Sequence, residues 1–140
     1  MKTKHDFRRS KLGAQTLAPE TLMLGFGFDP TLSEGAVKTP IFLTSTFAYA
    51  TCDEGKLLFD YMSGRQPTPK GHDAGLIYTR FNNPNLQIVE ERLAVLERAE
   101  GCAVFSSGMA AIFTALLATT EPGQVVLTSR PLYDGTETLF

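Results

Sequence analysis

Apolar positions are unevenly patterned along the chain. Residues 1–35 show no sustained period. They are polar, then glycine-rich at "LGFGFDP", and read as weakly ordered. Between Ile41 and Tyr49, "IFLTSTFAY" is β-branched and aromatic, and Pro40 disfavours a helix, so the pattern predicts an extended segment. A long connection follows, "CDEGKLLFDYMSGRQPTPKGHDAG". In it, Leu57, Leu58 and Phe59 suit a short helical turn and "SGRQPTPKG" a loop. "LIYTRFNNPN" is again extended and ends in a turn at Asn83-Pro84.

The helical period is clear in "NLQIVEERLAVLERAEG". Leu86, Val89, Leu93 and Leu96 recur at spacings of three and four, with Glu90, Glu91, Arg92, Glu97 and Arg98 largely off that stripe. Asn85 suits the start of this helix and Gly101 its end. "CAVFSS" then reads as a short buried strand, "GMAAIFTALLATT" as a buried helix, "EPGQ" as a turn and "VVLTS" as a second buried strand. "RPLYDGTETLF" begins another unit. Helix, strand, helix, strand in this order predicts α/β layers with parallel strands. Such an architecture needs more strands than these, so the sequence is expected to be the front part of a longer protein. There is no internal repeat or low-complexity tract.

Composition narrows the class. The chain has 140 residues, 43 % hydrophobic and 20 % charged, which suits one folded globular piece. A formal net charge of −2 gives no general reason to expect a nucleic-acid partner. No apolar run approaches the roughly 20 residues of a membrane span. The basic opening "MKTKHDFRRSK" lacks the apolar core of a secretory signal and reads either as a solvated tail or as a subunit contact. Cys52 and Cys102 are far apart with no CxxC, which fits a reducing cytoplasm. His5 and His72 are isolated, so no metal site is expected.

Three short stretches carry candidate chemistry. At "SSGMAA", a strand gives way to a helix at Ser106, Ser107 and Gly108. A helix start leaves N–H groups unpaired at the positive end of the helix dipole, and a glycine there admits a phosphate. Ser106 or Ser107 serves equally as a plain cap, and taken alone the pair needs no ligand. No Walker lysine follows, and there is no G-x-G-x-x-G. In "YTR", an extended chain would put Tyr78 and Arg80 on one face, a neutral donor beside a charged fork; a surface Arg beside a half-buried Tyr is the plainer alternative. In "PLYDGT", Tyr133 follows the second strand, where ligands of open α/β sheets sit; it suits stacking on a planar ligand, or simple packing.

Taken together and in order, "YTRFNNPN", the helix "LQIVEERLAVLERAEG", "SSGMAA" and "PLYDGT" resemble the pyridoxal-phosphate-dependent Cys/Met metabolism (trans-sulfuration) family, and "TPIFLTSTFAY" resembles its segment near the N-terminus. That family includes cystathionine gamma-synthases, cystathionine and methionine gamma-lyases and homoserine sulfhydrylases. The match covers about residues 35–140. It implies an α/β fold, the first part of a fold-type-I, aminotransferase-like large domain with a mostly parallel sheet over residues 36–140, preceded by an N-terminal arm at 1–35. It implies pyridoxal 5′-phosphate (PLP) as cofactor. Ser107, Gly108 and Met109 match the motif that receives the phosphate. Tyr78 and Arg80 match the pair reaching the phosphate of a neighbouring subunit's cofactor. Tyr133 matches the tyrosine that stacks on the cofactor ring and assists proton transfer.

The implied reaction is γ-elimination or γ-replacement on a sulfur amino acid or an activated homoserine, in a cytoplasmic homotetramer built from dimers with shared sites. Three departures stand out. Asn83-Pro84-Asn85 replaces the usual Asn-Pro-Thr, Asp134 follows the tyrosine where a small residue is usual, and the connection at 52–75 is long. The lysine that carries the cofactor, the aspartate facing the pyridine nitrogen and the arginine for the substrate carboxylate are expected past Phe140, since Lys38, Lys56 and Lys70 stand in loop-like contexts. These 140 residues alone are therefore expected to be inactive. Two other readings stay open from sequence: a non-catalytic oligomerisation or regulatory module, and an α/β domain for another phosphate ligand such as a nucleotide.

Overall fold

Helices dominate the regular structure. A computed structural model describes residues 7–69 and 75–140; His5, Lys70, His72 and the start of the basic opening lie outside the described residues. The chain forms two units, one ending at Cys102 and the other beginning at Ala103.

The first unit opens with a small antiparallel hairpin, β1 (Lys11–Leu12) and β2 (Gln15–Thr16), with Leu12 opposite Gln15. Gly13, at φ 60, supplies the left-handed residue its tight turn requires. The helix α1 (Pro19–Leu22) starts on proline, and a 3-10 turn covers Pro30–Leu32. The segment expected to be weakly ordered thus carries short elements from residue 11 onward. They are built from Gly and Pro geometry rather than from a repeating apolar period, which is why periodicity missed them. This segment is tied to the helix α3 (Pro84–Glu97). Arg8 donates to both Glu91 oxygens at 2.8 and 3.0 Å, and Arg92 Nε donates to the Phe26 carbonyl at 3.3 Å. Gly27 has φ 79, a conformation that favours glycine, and a Cβ there would displace the end of the Glu91 side chain.

Among the described residues, Leu22, Phe28, Ile77 and Ile88 are the buried apolar side chains of this unit. Here the structure corrects the expected stripe on α3. Leu86, Val89 and Leu96 are each about 40 % exposed or more and Leu93 is half-buried, while Ile88 is buried. Ile88, Glu91 and Arg92 share a face by spacing, and that is the face turned to α1 and the arm.

The helix ends also differ from expectation. Asn83 rather than Asn85 caps α3, accepting from Asn85 N at 2.9 Å, with Pro84 as the first helical residue. The helix ends at Arg98, which takes the left-handed conformation (φ 54), not at Gly101. The short turn expected at 57–59 is a full helix, α2 (Cys52–Met62). Thr51 Oγ1 accepts from Glu54 N at 3.1 Å, and Glu54 Oε2 reaches back to Ala50 N at 2.6 Å. This is a variant of the capping box, and "TCDE" carries its signature. Cys52 and Cys102 are both free and exposed.

The second unit holds α4 (Gly108–Thr119) and α5 (Asp134–Leu139), packed on one another. The helix α4 was expected to be buried. Its Phe113 and Leu117 are instead exposed, the latter by 63 %, because α5 is its single packed element within this unit among the described residues. The segments "CAVFSS" (102–107) and "VVLTS" (125–129) were expected as buried parallel strands. Neither enters a ladder among the described residues, and Leu127 is 96 % exposed. A strand exists through its pairing, and β1–β2 is the one sheet among the described residues. No helix among the described residues is long and apolar enough to cross a membrane.

Candidate functional site

In the first unit the candidate chemistry sits on a turn. "YTR" is not the straight strand expected. Tyr78 makes one antiparallel bridge with Thr46, and the chain then folds back, with Phe81 N and Asn82 N donating to the Tyr78 carbonyl at 2.8 and 3.0 Å. Tyr78 and Arg80 still meet, with the guanidinium carbon 5.8 Å from the Tyr78 ring centroid. The residue between them faces the other way. Thr79 N donates to the Ser45 carbonyl at 2.9 Å, and its hydroxyl donates to the Thr44 carbonyl.

The asparagines of "FNNPN" complete the anchor. Asn82 Oδ1 accepts from Ile77 N at 3.1 Å, and its amide donates to the Gly75 carbonyl. Asn83, only 3 % exposed, donates to Thr79 Oγ1 at 3.1 Å while capping α3. Asn85 grips one peptide of the extended segment from both sides. Its Oδ1 accepts from Phe42 N and its Nδ2 donates to the Phe42 carbonyl, each at 3.1 Å. Position 85, where the family pattern has threonine, is therefore a backbone clamp rather than a cap. A threonine hydroxyl can also donate and accept, but it cannot span both groups of one peptide as an amide does. These bonds hold residues 42–46 and 77–85 together, so that Tyr78 and Arg80 face outward from a fixed base.

In the second unit the start of α4 resolves the choice between the serines. Ser107 is the cap, its Oγ accepting from Ala110 N at 3.1 Å and its carbonyl from Ala111 N at 3.2 Å. The N–H groups of Gly108 and Met109 have no acceptor among the described residues. No acidic side chain stands in the first turn to neutralise the dipole, and the space where a Gly108 Cβ would lie is empty to 4 Å.

Tyr133 comes to the same helix end. It precedes α5, its carbonyl accepting from Thr136 N at 2.8 Å, and its side chain is 69 % exposed. Gly135 lies between Tyr133 and Met109: a Cβ there would be 2.8 Å from a Tyr133 ring carbon and 3.0 Å from Met109 Sδ. The buried Thr136 hydroxyl approaches the same sulfur at 3.9 Å. The Met109 side chain thus packs toward α5 while its N–H stays open at the helix start. The structure brings Tyr78 to Arg80 within one unit and Met109 to Tyr133 within the other. Sequence reasoning missed Thr79 and Gly135. Strand alternation puts Thr79 opposite its neighbours and held the signal for it; nothing local marked Gly135 beyond its small size.

Two free N–H groups at a positive helix end, with an exposed aromatic ring beside them, suit a planar ligand that carries a phosphate. Comparison with known proteins gives that ligand its class. The sequence model of the Cys/Met metabolism PLP-dependent enzymes matches residues 20–140, and the chain belongs to that family. It is 34 % identical over 120 residues to an L-methionine gamma-lyase of Pseudomonas deceptionensis, covering 86 % of this chain and 28 % of that protein. It is 34 % identical over 121 residues to a homocysteine synthase of Schizosaccharomyces pombe (86 % and 26 %). An O-acetyl-L-homoserine sulfhydrylase of Corynebacterium glutamicum is 32 % identical over 121 residues (86 % and 25 %). The chain spans about a quarter of the length of these relatives. The cofactor of the family is PLP, and the open Gly108 and Met109 amides with the exposed Tyr133 ring fit its phosphate and its ring.

Two variants test this geometry. Thr79→Val keeps the shape and removes the hydroxyl. It leaves the Thr44 carbonyl and the Asn83 amide each short of a partner and is expected to destabilise the fold by about 1–3 kcal/mol, read as a lowered urea midpoint of the complete gene product. Gly135→Ala is expected to push the Tyr133 ring away by about 0.7 Å or more, to restore the roughly 3.5 Å separation of carbon atoms, with α5 intact. A crystal structure of the variant checks this; an unmoved ring contradicts it.

Proposed function

We propose that this chain is the cofactor-phosphate-binding part of a PLP-dependent enzyme of sulfur amino-acid metabolism, of cystathionine gamma-synthase or methionine gamma-lyase type. The observation that carries the reading is the open start of α4, where two N–H groups without acceptors stand beside an exposed tyrosine in a chain of this family. The relatives' names, a methionine gamma-lyase, a homocysteine synthase and a homoserine sulfhydrylase, support a sulfur amino acid or an activated homoserine as substrate. The reaction is accordingly γ-elimination or γ-replacement.

In this reading Ser107 closes one helix-start donor, and Gly108 and Met109 N–H donate to the phosphate. Tyr133 would stack on the cofactor ring, and its hydroxyl would hold or move a proton. Arg80 and Tyr78 of a neighbouring subunit close over the same phosphate, the guanidinium adding charge-assisted donors and the phenol one neutral donor. When bound, PLP supplies an electron sink for bonds broken beside an amino group. The assembly is then a cytoplasmic homotetramer, a dimer of dimers. Residues 36–140 form the first part of the large domain, with 1–35 as an arm. Segments 102–107 and 125–129 are then strands of its mostly parallel sheet, and the exposed Val125, Val126 and Leu127 of the second support this reading.

Arg80→Ala in the complete gene product tests the reading. A charge-assisted hydrogen bond is worth about 1.5–3 kcal/mol, so PLP affinity is expected to fall roughly tenfold to a hundredfold, measured by titrating the cofactor-free protein. Unchanged affinity contradicts the shared phosphate site.

A further inference from the structure

The described residues contain no cluster of three metal-ligating side chains, and Arg80 is the charged group whose surroundings call for a further explanation. Its guanidinium makes no ion pair and no hydrogen bond among the described residues. It lies over two aromatic rings, its carbon 5.1 Å from the Phe81 centroid and 5.8 Å from the Tyr78 centroid. Both distances fall within the roughly 6 Å over which a cation is held by a ring face. Phe81 is the nearer ring, and 51 % of it is exposed, so core burial does not account for its place. Its backbone N–H is bonded to the Tyr78 carbonyl at 2.8 Å, so the pinned turn sets the ring's position.

We infer that Phe81 is a positioning residue: with Tyr78 it forms a two-ring cradle that holds the Arg80 guanidinium by its faces and leaves its donor edge free for an anionic ligand. A ring uses the face of the guanidinium and a phosphate uses its edge, so both contacts coexist. A carboxylate partner would instead occupy the edge and compete with the ligand. A long side chain ordered in advance loses less rotamer freedom when it binds, and that saving appears as affinity. The inference rests on the proposed role of Arg80 at the PLP phosphate and goes beyond it by naming what orients the arginine.

The test is a double-mutant cycle in the complete gene product, read as PLP dissociation constants from titration of the cofactor-free protein. Phe81→Leu is expected to weaken PLP binding about threefold to tenfold. In an Arg80→Ala background the same change is expected to have no further effect, because Phe81 acts through the arginine. Phe81→Tyr, which keeps a ring, is expected to restore affinity. Phe81→Met is a second ringless variant should Phe81→Leu fold poorly.

If Arg80→Ala weakens binding and neither ringless variant does, the cradle is overturned and the phosphate site stands. Equal weakening by Phe81→Leu in both backgrounds overturns the cradle as well, since the ring then acts by another route. If Arg80→Ala has no effect, the phosphate reading fails and takes the cradle with it.

Discussion

The Thr79 side chain and backbone are the fixed point of the first unit. Its N–H is held by the Ser45 carbonyl, its hydroxyl by the Thr44 carbonyl, and the buried Asn83 amide donates to the same hydroxyl. Each bond is modest in net terms, on the order of 1 kcal/mol, but a buried amide or hydroxyl left unpaired costs more than a bond gains. The network is therefore selective: it permits one register of residues 42–46 against 77–85. That register turns Thr79 inward and so turns Tyr78 and Arg80 outward. Asn85, clamped on both groups of the Phe42 peptide, stops the extended segment from sliding.

The second unit reaches an open donor set by incomplete capping. Ser107 takes one orphan N–H of α4 and leaves those of Gly108 and Met109. The side chains that might fill the gap are small, absent or turned aside. Gly108 has none, and Met109 packs toward Gly135 and Thr136. Gly135 leaves room for Tyr133 and Met109 on either side of it, since a Cβ there would crowd both side chains. The same glycine thus serves the packing of α5 and the exposure of the ring beside the helix start.

Much of this was legible in the sequence, and the gaps have physical causes. The helices α3 and α4 were plain, because a 3.6-residue period and a Ser-Gly junction are local signals. The face that α3 buries was not, because Ile88 is chosen by the arm that crosses it and not by the leucine stripe. The cap is displaced by two residues because Asn83 and Asn85 are equally good cap types; both donate to the Phe42 carbonyl, and only the Phe42 N–H, which occupies Asn85 Oδ1, tells them apart. The helix α2 is legible in its capping box, but the polar composition around it hides its length. Tyr78, Arg80, Ser107, Gly108, Met109 and Tyr133 stood out by residue type and order. Thr79, Phe81 and Gly135 did not, since their roles are defined by what lies across the fold: two carbonyls near residue 45, a guanidinium face, and a sulfur on another helix.

In the proposed function, the pinned turn and the open helix start are two halves of one phosphate site, contributed by neighbouring subunits. A crystal structure of the complete gene product with PLP bound tests it most directly. The account predicts the phosphate within hydrogen-bond distance of Gly108 N and Met109 N of one subunit and of the Arg80 guanidinium of its neighbour. A phosphate anchored elsewhere, or Arg80 facing bulk solvent in the assembled oligomer, would contradict it.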